Sequence, residues 1–176
     1  MAENENLAEE LSEEFDYPGS PTYIKLGEII FTDSPNKYNL LGLGTCLAIF
    51  VYDIRKKKYG MTHALLPEKE SNSVNNTKSN KPGRFTDSAI RTMISKFLSD
   101  GSLKRDIRIK LIGGGQIYKD PMMIGIKNVE VAHRTLEELG FPIEAEDVGG
   151  NTGRSVLSFN PDGTVYIRKN TMKYLI

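Results

Sequence analysis

Apolar positions along this chain recur with two different periods, and the places where the period changes predict its elements. From 23 to 31, YIKLGEIIF mixes alternation with β-branched residues and predicts a first strand, ended by the turn TDSPN. The run CLAIFVYD is apolar throughout and too short for a free-standing helix. It predicts a buried strand over 47–52, with a short helix opening at Cys46 as the other reading. The basic turn DIRKKKYG, whose three lysines read as a solvated loop, returns the chain into MTHALLP as the second strand of a hairpin. Residues 68–83 are polar and long for a connection, which predicts a mobile loop.

Helical spacing then takes over. In FTDSAIRTMISKFLSDG the residues Ala89, Ile90, Met93, Ile94, Phe97 and Leu98 share one stripe, with Thr86 as N-cap and Gly101 as stop. A strand IRIKLI runs into GGG at 113–115, and a second helix is predicted from about Asn128 to Leu139, closed by Gly140 and Pro142. Three further strands read as IEAEDV, RSVLSF and TVYIRK, the last two joined by the turn NPDG. No repeat of solenoid period is visible. The sum is an α/β (α+β) domain, a layered sandwich of mixed, mostly antiparallel sheet with two long helices packed on it.

Composition narrows the class. A chain of 176 residues fits one domain with a core of its own, taken as 21–176. Residues 1–20 carry seven acidic side chains and no basic one, the pattern of a solvated, flexible tail. Lys+Arg and Asp+Glu both number 23, so the zero net charge argues against a nucleic-acid or anionic-membrane partner. A single cysteine allows no internal disulfide and supplies no CxxC pair for structural zinc. There is no basic-then-apolar leader and no run of roughly 18–20 apolar residues to insert in a membrane. These features predict a soluble, cytoplasmic protein without a metal.

The one cysteine is also the one residue whose setting suggests chemistry. Gly42 and Gly44 precede it in GLGT, and glycines reach backbone conformations that turn N–H groups toward one point. Such a bend exposes the sulfur and offers backbone around Gly44 and Thr45, with the Cys46 N–H itself, to an oxyanion. Two histidines exist to act as base. His133 sits among charged neighbours on the second helix and reads as an exposed surface residue, whereas His63 lies on the strand returning from Cys46. A buried structural cysteine is the bland alternative, since free cysteine is among the most buried residue types. The glycine clusters GGG and DVGGNTGR read either as tight turns or as walls of a cleft.

Taken together, GLGTCLAIFVYD and GMTHALLP resemble the cysteine- and histidine-bearing strands of the CheD family of chemoreceptor glutamine deamidases. RFTDSAI, the GGG after a strand, IGIKN (where the family usually shows Arg before Asn) and DVGGNTGR follow in the family's order. The resemblance covers about 23–169. It implies hydrolysis of glutamine side-chain amides in chemoreceptor cytoplasmic helices to glutamate and ammonia, by a cofactor-free thiol mechanism. It also implies a layered sandwich shared with bacterial toxin deamidases, and binding to the chemotaxis phosphatase CheC. Carried onto this chain, Cys46 is the nucleophile and His63 the base that later protonates the leaving ammonia. An imidazolium partner would depress the Cys46 pKa.

One departure stands out. The family's third catalytic residue is a threonine six positions before the cysteine, and this chain has Leu40 there. Leucine cannot hydrogen-bond an imidazole, so the orienting group falls to Asn39, Thr45, Asn151 or a backbone carbonyl. Leu40 also sustains a rival reading, a weakly active or inactive CheD-like partner regulating a CheC-type phosphatase. A thiol protease or transglutaminase would use the same acyl-enzyme chemistry. Loop 68–83 is expected to act as a lid over the site.

Overall fold

The computed structural model describes residues 21–33, 38–69, 81–117, 121–159 and 162–176. The acidic tail and most of the expected lid, 70–80, lie outside the described residues. Two five-stranded mixed sheets are stacked, and both helices cover the outer face of one of them. The covered sheet runs β2 (Ile29–Thr32), β5 (Lys58–Ala64), β4 (Leu47–Asp53), β6 (Ile107–Gly113), β7 (Ala145–Val148). The other runs β1 (Thr22–Tyr23), β3 (Tyr38–Leu43), β8 (Arg154–Phe159), β9 (Val165–Lys169), β10 (Met172–Leu175). Among the described strands, only the β1–β3 and β6–β7 pairs are parallel. The layered, mostly antiparallel α+β architecture expected from the patterning is the one observed.

Strand β4 explains its own unbroken apolar run, because it is buried on both faces. Ala48, Phe50 and Tyr52 enter the core between the sheets, while Leu47, Ile49 and Val51 enter the core under the helices. No helix opens at Cys46, since the residue immediately precedes β4. Helix α1 (Thr86–Ser99) buries Ala89, Ile90, Met93, Ile94 and Phe97 on this second core. Leu98, counted in the same stripe from the sequence, turns outward and is exposed. A Phe, Leu or Ile taken fully out of water contributes about 1.5–3 kcal/mol, so the two faces of β4 anchor both layers.

Several boundaries differ from the patterning. The expected strand over 23–31 is two strands, broken where Gly27 takes φ +72° and the Glu28 N–H donates to the Lys25 carbonyl. The N-cap of α1 is Phe85, and Thr86 spends its hydroxyl elsewhere. Helix α2 (Ile124–Leu139) begins four residues earlier than read, after Met123 in the left-handed region. The end of loop 68–83 is a short helical turn, Pro82–Arg84, in which Gly83 packs so closely that a Cβ would stand 2.6 Å from Thr62 Oγ1. Strands β3 and β10 were not foreseen.

Candidate active site

Register fixes the relation of the two chemical residues. In the β4–β5 hairpin Leu47 pairs with Ala64 and Ala48 with His63. Cys46 is two residues from Ala48, so the alternation of side chains places Cys46 and His63 on one face as diagonal neighbours across the ladder. Such positions lie about 7–8 Å apart at Cα, within the span of an imidazole reaching a thiol. That face looks toward the other sheet: Ala48 and Met61 belong to the inter-sheet core, and Cys46 packs at its edge.

The two glycines ahead of the thiol serve different ends. Gly42 takes φ +68°, which favours glycine, whereas Gly44 has an ordinary backbone and lets Ile117 pack closely: a Cβ there would come within 2.9 Å of the movable Ile117 Cδ1. Beyond them the GGG segment wraps the thiol loop. The Gly114 N–H donates to the Cys46 carbonyl at 2.7 Å and the Gly115 N–H to the Gly44 carbonyl at 2.8 Å. The second glycine cluster closes on the first, since the Gly149 N–H donates to the Gly113 carbonyl at 2.9 Å and the Gln116 N–H to the Gly150 carbonyl at 2.7 Å. The two glycine clusters are thus bonded to each other, and the first of them to the thiol loop.

Burial sets the protonation states. Cys46 is partly buried, which pushes its thiol pKa up, opposed only by its own backbone N–H. The expected depression of the Cys46 pKa is not found, because desolvation outweighs the one bond that lowers it. His63 is 8% exposed, and desolvation pushes its pKa below the ordinary imidazole value, opposed by a hydrogen bond to the Ile24 backbone. Its Nε2 is buried without a partner among the described residues, so that bond uses Nδ1 as donor and leaves the Nε2 lone pair as the basic position.

A depressed imidazole pKa makes a signed prediction. Unfolding restores the ordinary value near 6.5, so the unfolded chain binds the extra proton first. The neutral buried ring thus contributes stability that is complete above about pH 6.5 and is lost as pH falls through the folded pKa. Urea denaturation across pH is expected to show this decline in the wild type and a flatter profile in His63→Gln. Parallel profiles would refute the assignment.

His63 hydrogen-bonds the main chain at Ile24, and a backbone carbonyl is one of the orienting groups left open by the sequence. Ile24 is held against the site by its N–H to the Asn39 carbonyl at 3.0 Å, and Gly27 N–H donates to the His63 carbonyl at 2.8 Å. Leu40 is 1% exposed in the inter-sheet core. Asn39 alternates to the opposite face of β3 from Leu40. Asn151 is exposed and accepts from Thr152 Oγ1 at 3.4 Å. The Thr45 carbonyl accepts from Asn128 Nδ2 at 2.9 Å. His133 is at the surface, 2.7 Å from Glu146, as its sequence setting indicated.

Two residues near the site carry roles that the sequence reading missed. Asn128 is fully buried at the start of α2. Arg154, its side chain 1% exposed, donates from Nη1 to the carbonyls of Gly149 and Thr152 at 2.6 and 3.0 Å. Its Nε and Nη2 form a bidentate pair with Asp147 at 3.0 and 2.7 Å, and Lys169 and the Tyr174 hydroxyl converge on the same carboxylate. Although burial raises the Asp147 pKa, Arg154 and Tyr174 outweigh it and bring it down to about 2. Burial and the same carboxylate push Tyr174 up to about 12. Arg154→Met is expected to cost about 3 kcal/mol, because Asp147 keeps its charge and loses its main partner. An unchanged urea midpoint would contradict this.

A thiol just ahead of one strand and an imidazole on the next, with the thiol's own backbone N–H bonded to its sulfur, have the composition of a cysteine–histidine acyl-transfer site. Among the described residues no three His, Cys, Asp or Glu cluster to hold a metal, and no helix is long and apolar enough to cross a membrane. Residues 65–169 match the family model CheD chemotactic sensory transduction. The chain is 33% identical over 151 residues to the "Probable chemoreceptor glutamine deamidase CheD" of Methanococcus maripaludis strain C5, covering 84% of this chain and 94% of that protein. It is 36% identical over 155 residues to the protein so named in Clostridium botulinum strain Eklund 17B, with 84% and 93% covered. For that of Caldanaerobacter subterraneus the identity is 35% over 142 residues, with 78% and 85% covered. The solved hypothetical protein YfiH of Bacillus licheniformis superposes with a TM-score of 0.44 at 19% identity, over 68% of this chain and 49% of its own. This chain belongs to the CheD family.

Proposed function

We propose that the protein hydrolyses glutamine side-chain amides in the cytoplasmic helices of chemoreceptors, giving glutamate and ammonia, and that it acts in the cytoplasm. The observation that carries this reading is the register that sets Cys46 and His63 on one face, with Nε2 of the histidine unengaged. The names of the relatives supply the substrate. His63 Nε2 takes the thiol proton and the sulfur attacks the amide carbon. The Cys46 N–H donates to the resulting oxyanion. Collapse expels ammonia, protonated by the imidazolium, and water activated by the same ring resolves the thioester to glutamate and thiol. A thiol kept neutral by burial fits this scheme, because it becomes a thiolate only when the base acts.

The test is incubation with chemoreceptor cytoplasmic domains of the same organism, reading Gln→Glu conversion by peptide mass spectrometry. The control is the same protein after iodoacetamide has capped its single cysteine. Conversion by the uncapped protein alone supports the deamidase. A second reading, a weakly active or inactive binding partner of a CheC-type phosphatase, is favoured by the buried Leu40 at the family's threonine position. Folded protein that converts nothing, yet binds the phosphatase, would favour it.

A further inference from the structure

The side chain of Asn128 is fully buried and makes three hydrogen bonds to three different parts of the site. Its Nδ2 donates to the Thr45 carbonyl at 2.9 Å and to the Leu65 carbonyl at 3.3 Å, and its Oδ1 accepts from Thr86 Oγ1 at 3.0 Å. The amide orientation is unambiguous on this pattern, since two carbonyls can only accept and the hydroxyl is left to donate. Thr45 belongs to the thiol loop, and Leu65 follows the histidine strand by one residue.

The geometry points to Asn128 as a positioning residue that aims the oxyanion donor. The carbonyl of Thr45 and the N–H of Cys46 belong to one peptide unit, and the described chain contains no cis bond. In a trans peptide the two groups point in opposite directions in one plane, so holding the carbonyl aims the N–H. Asn128 pulls the Thr45 carbonyl toward α2, and the Cys46 N–H accordingly points to the side of its own sulfur, where it already favours the thiolate. The following peptide is held separately, by the Gly114 N–H on the Cys46 carbonyl. Removing the amide leaves the Thr45–Cys46 peptide able to rotate away, and an oxyanion donor that rotates away stabilises nothing. The contact to Leu65 keeps the histidine strand in the same frame. Two helices thereby act on the thiol loop: α2 supplies the clamp, and Thr86 of α1 sets which end of the amide faces the loop.

This inference rests on the thiol reading, and its test separates the two. Wild type, Asn128→Ala and Thr86→Val are reacted with iodoacetamide and with p-nitrophenyl acetate. Iodoacetamide alkylates the sulfur at a tetrahedral carbon, expelling iodide, and no oxyanion develops. The ester is attacked at its carbonyl: the C–S bond forms, p-nitrophenolate leaves with the C–O electrons, and an oxyanion develops on the way. For Asn128→Ala, acylation of Cys46 is expected to fall about 10²-fold, the loss typical of one oxyanion donor. Its alkylation rate is expected to fall far less, only by what the lost N–H bond takes from the thiolate fraction. Thr86→Val, which removes no methyl-sized volume, is expected to show the same selective loss at smaller amplitude, and serves if Asn128→Ala fails to fold. Equal losses in both reactions, or none in acylation, overturn the proposal. A wild-type thiol that alkylates but cannot be acylated overturns it as well. Acylation that proceeds while receptor glutamines stay unmodified overturns only the deamidase reading.

Discussion

Replacing Cys46 by alanine is expected to remove all enzymatic Gln→Glu conversion, and replacing His63 by glutamine to lower it by about 10²–10⁴-fold. The unequal losses follow from the roles. Without sulfur there is no covalent intermediate, whereas without the imidazole a small thiolate fraction survives, smaller than for an ordinary cysteine because burial raises the Cys46 pKa. Raising the pH should therefore recover part of the His63→Gln rate and none of the Cys46→Ala rate. The double variant should be no worse than Cys46→Ala, because residues that act as a unit do not contribute additively. Rates of conversion by mass spectrometry across pH decide the matter. Residual conversion in Cys46→Ala would remove the thiol from the mechanism, and an unimpaired His63→Gln would remove the base.

Gly113→Ala should be among the most damaging methyl additions to the site. Gly113 holds φ +112°, a conformation closed to side-chain-bearing residues, and a Cβ there would overlap the carbonyl oxygen of Cys46. Strain of about 1–3 kcal/mol and displacement of the thiol loop combine, so a loss of about 3 kcal/mol, or roughly 6–12 °C in Tm, is expected. Acylation of Cys46 should fall as well, since the Gly114 bond to its carbonyl cannot survive the shift. Gly149→Ala is the control: it shares a positive φ of +71° but has nothing within 4 Å, so only the left-handed preference of about 1 kcal/mol is lost. Comparable melting shifts for the two variants would show that the closeness of Gly113 to Cys46 is immaterial.

How far the sequence disclosed this molecule depended on whether a residue's role is written in its own side chain. Strand β4 and helix α1 are legible because their burial on two faces, or on one stripe, forces a periodicity. Strand β3 is not. A register shift between Leu40 and Leu43 breaks its alternation, and Gly42 reads as punctuation although it lies within the strand. The short β10 exists because β9 offers it an edge, a fact no local pattern carries. In the site, the hairpin makes the Cys46–His63 relation readable. The hydrogen-bond partner of His63 is the main chain at Ile24, and every residue has a carbonyl. The direction of the Cys46 pKa depends on desolvation, which the inter-sheet core supplies and a single chain of letters does not display. Asn128 lay inside a recognised motif, yet its three partners come from segments up to 83 residues away.

The thiol loop is also the place where the chain passes from one sheet to the other, leaving β3 at Leu43 and entering β4 at Leu47. Its supports come from β6, α2 and the glycines after β7, all of which are made later by the ribosome. A nascent chain that has released only its first hairpin therefore carries a sulfur with no loop geometry, no aimed N–H and no glycine segment bonded to its loop. Under the proposed mechanism, reactivity toward amides is a property of the finished stack and of no shorter piece of it.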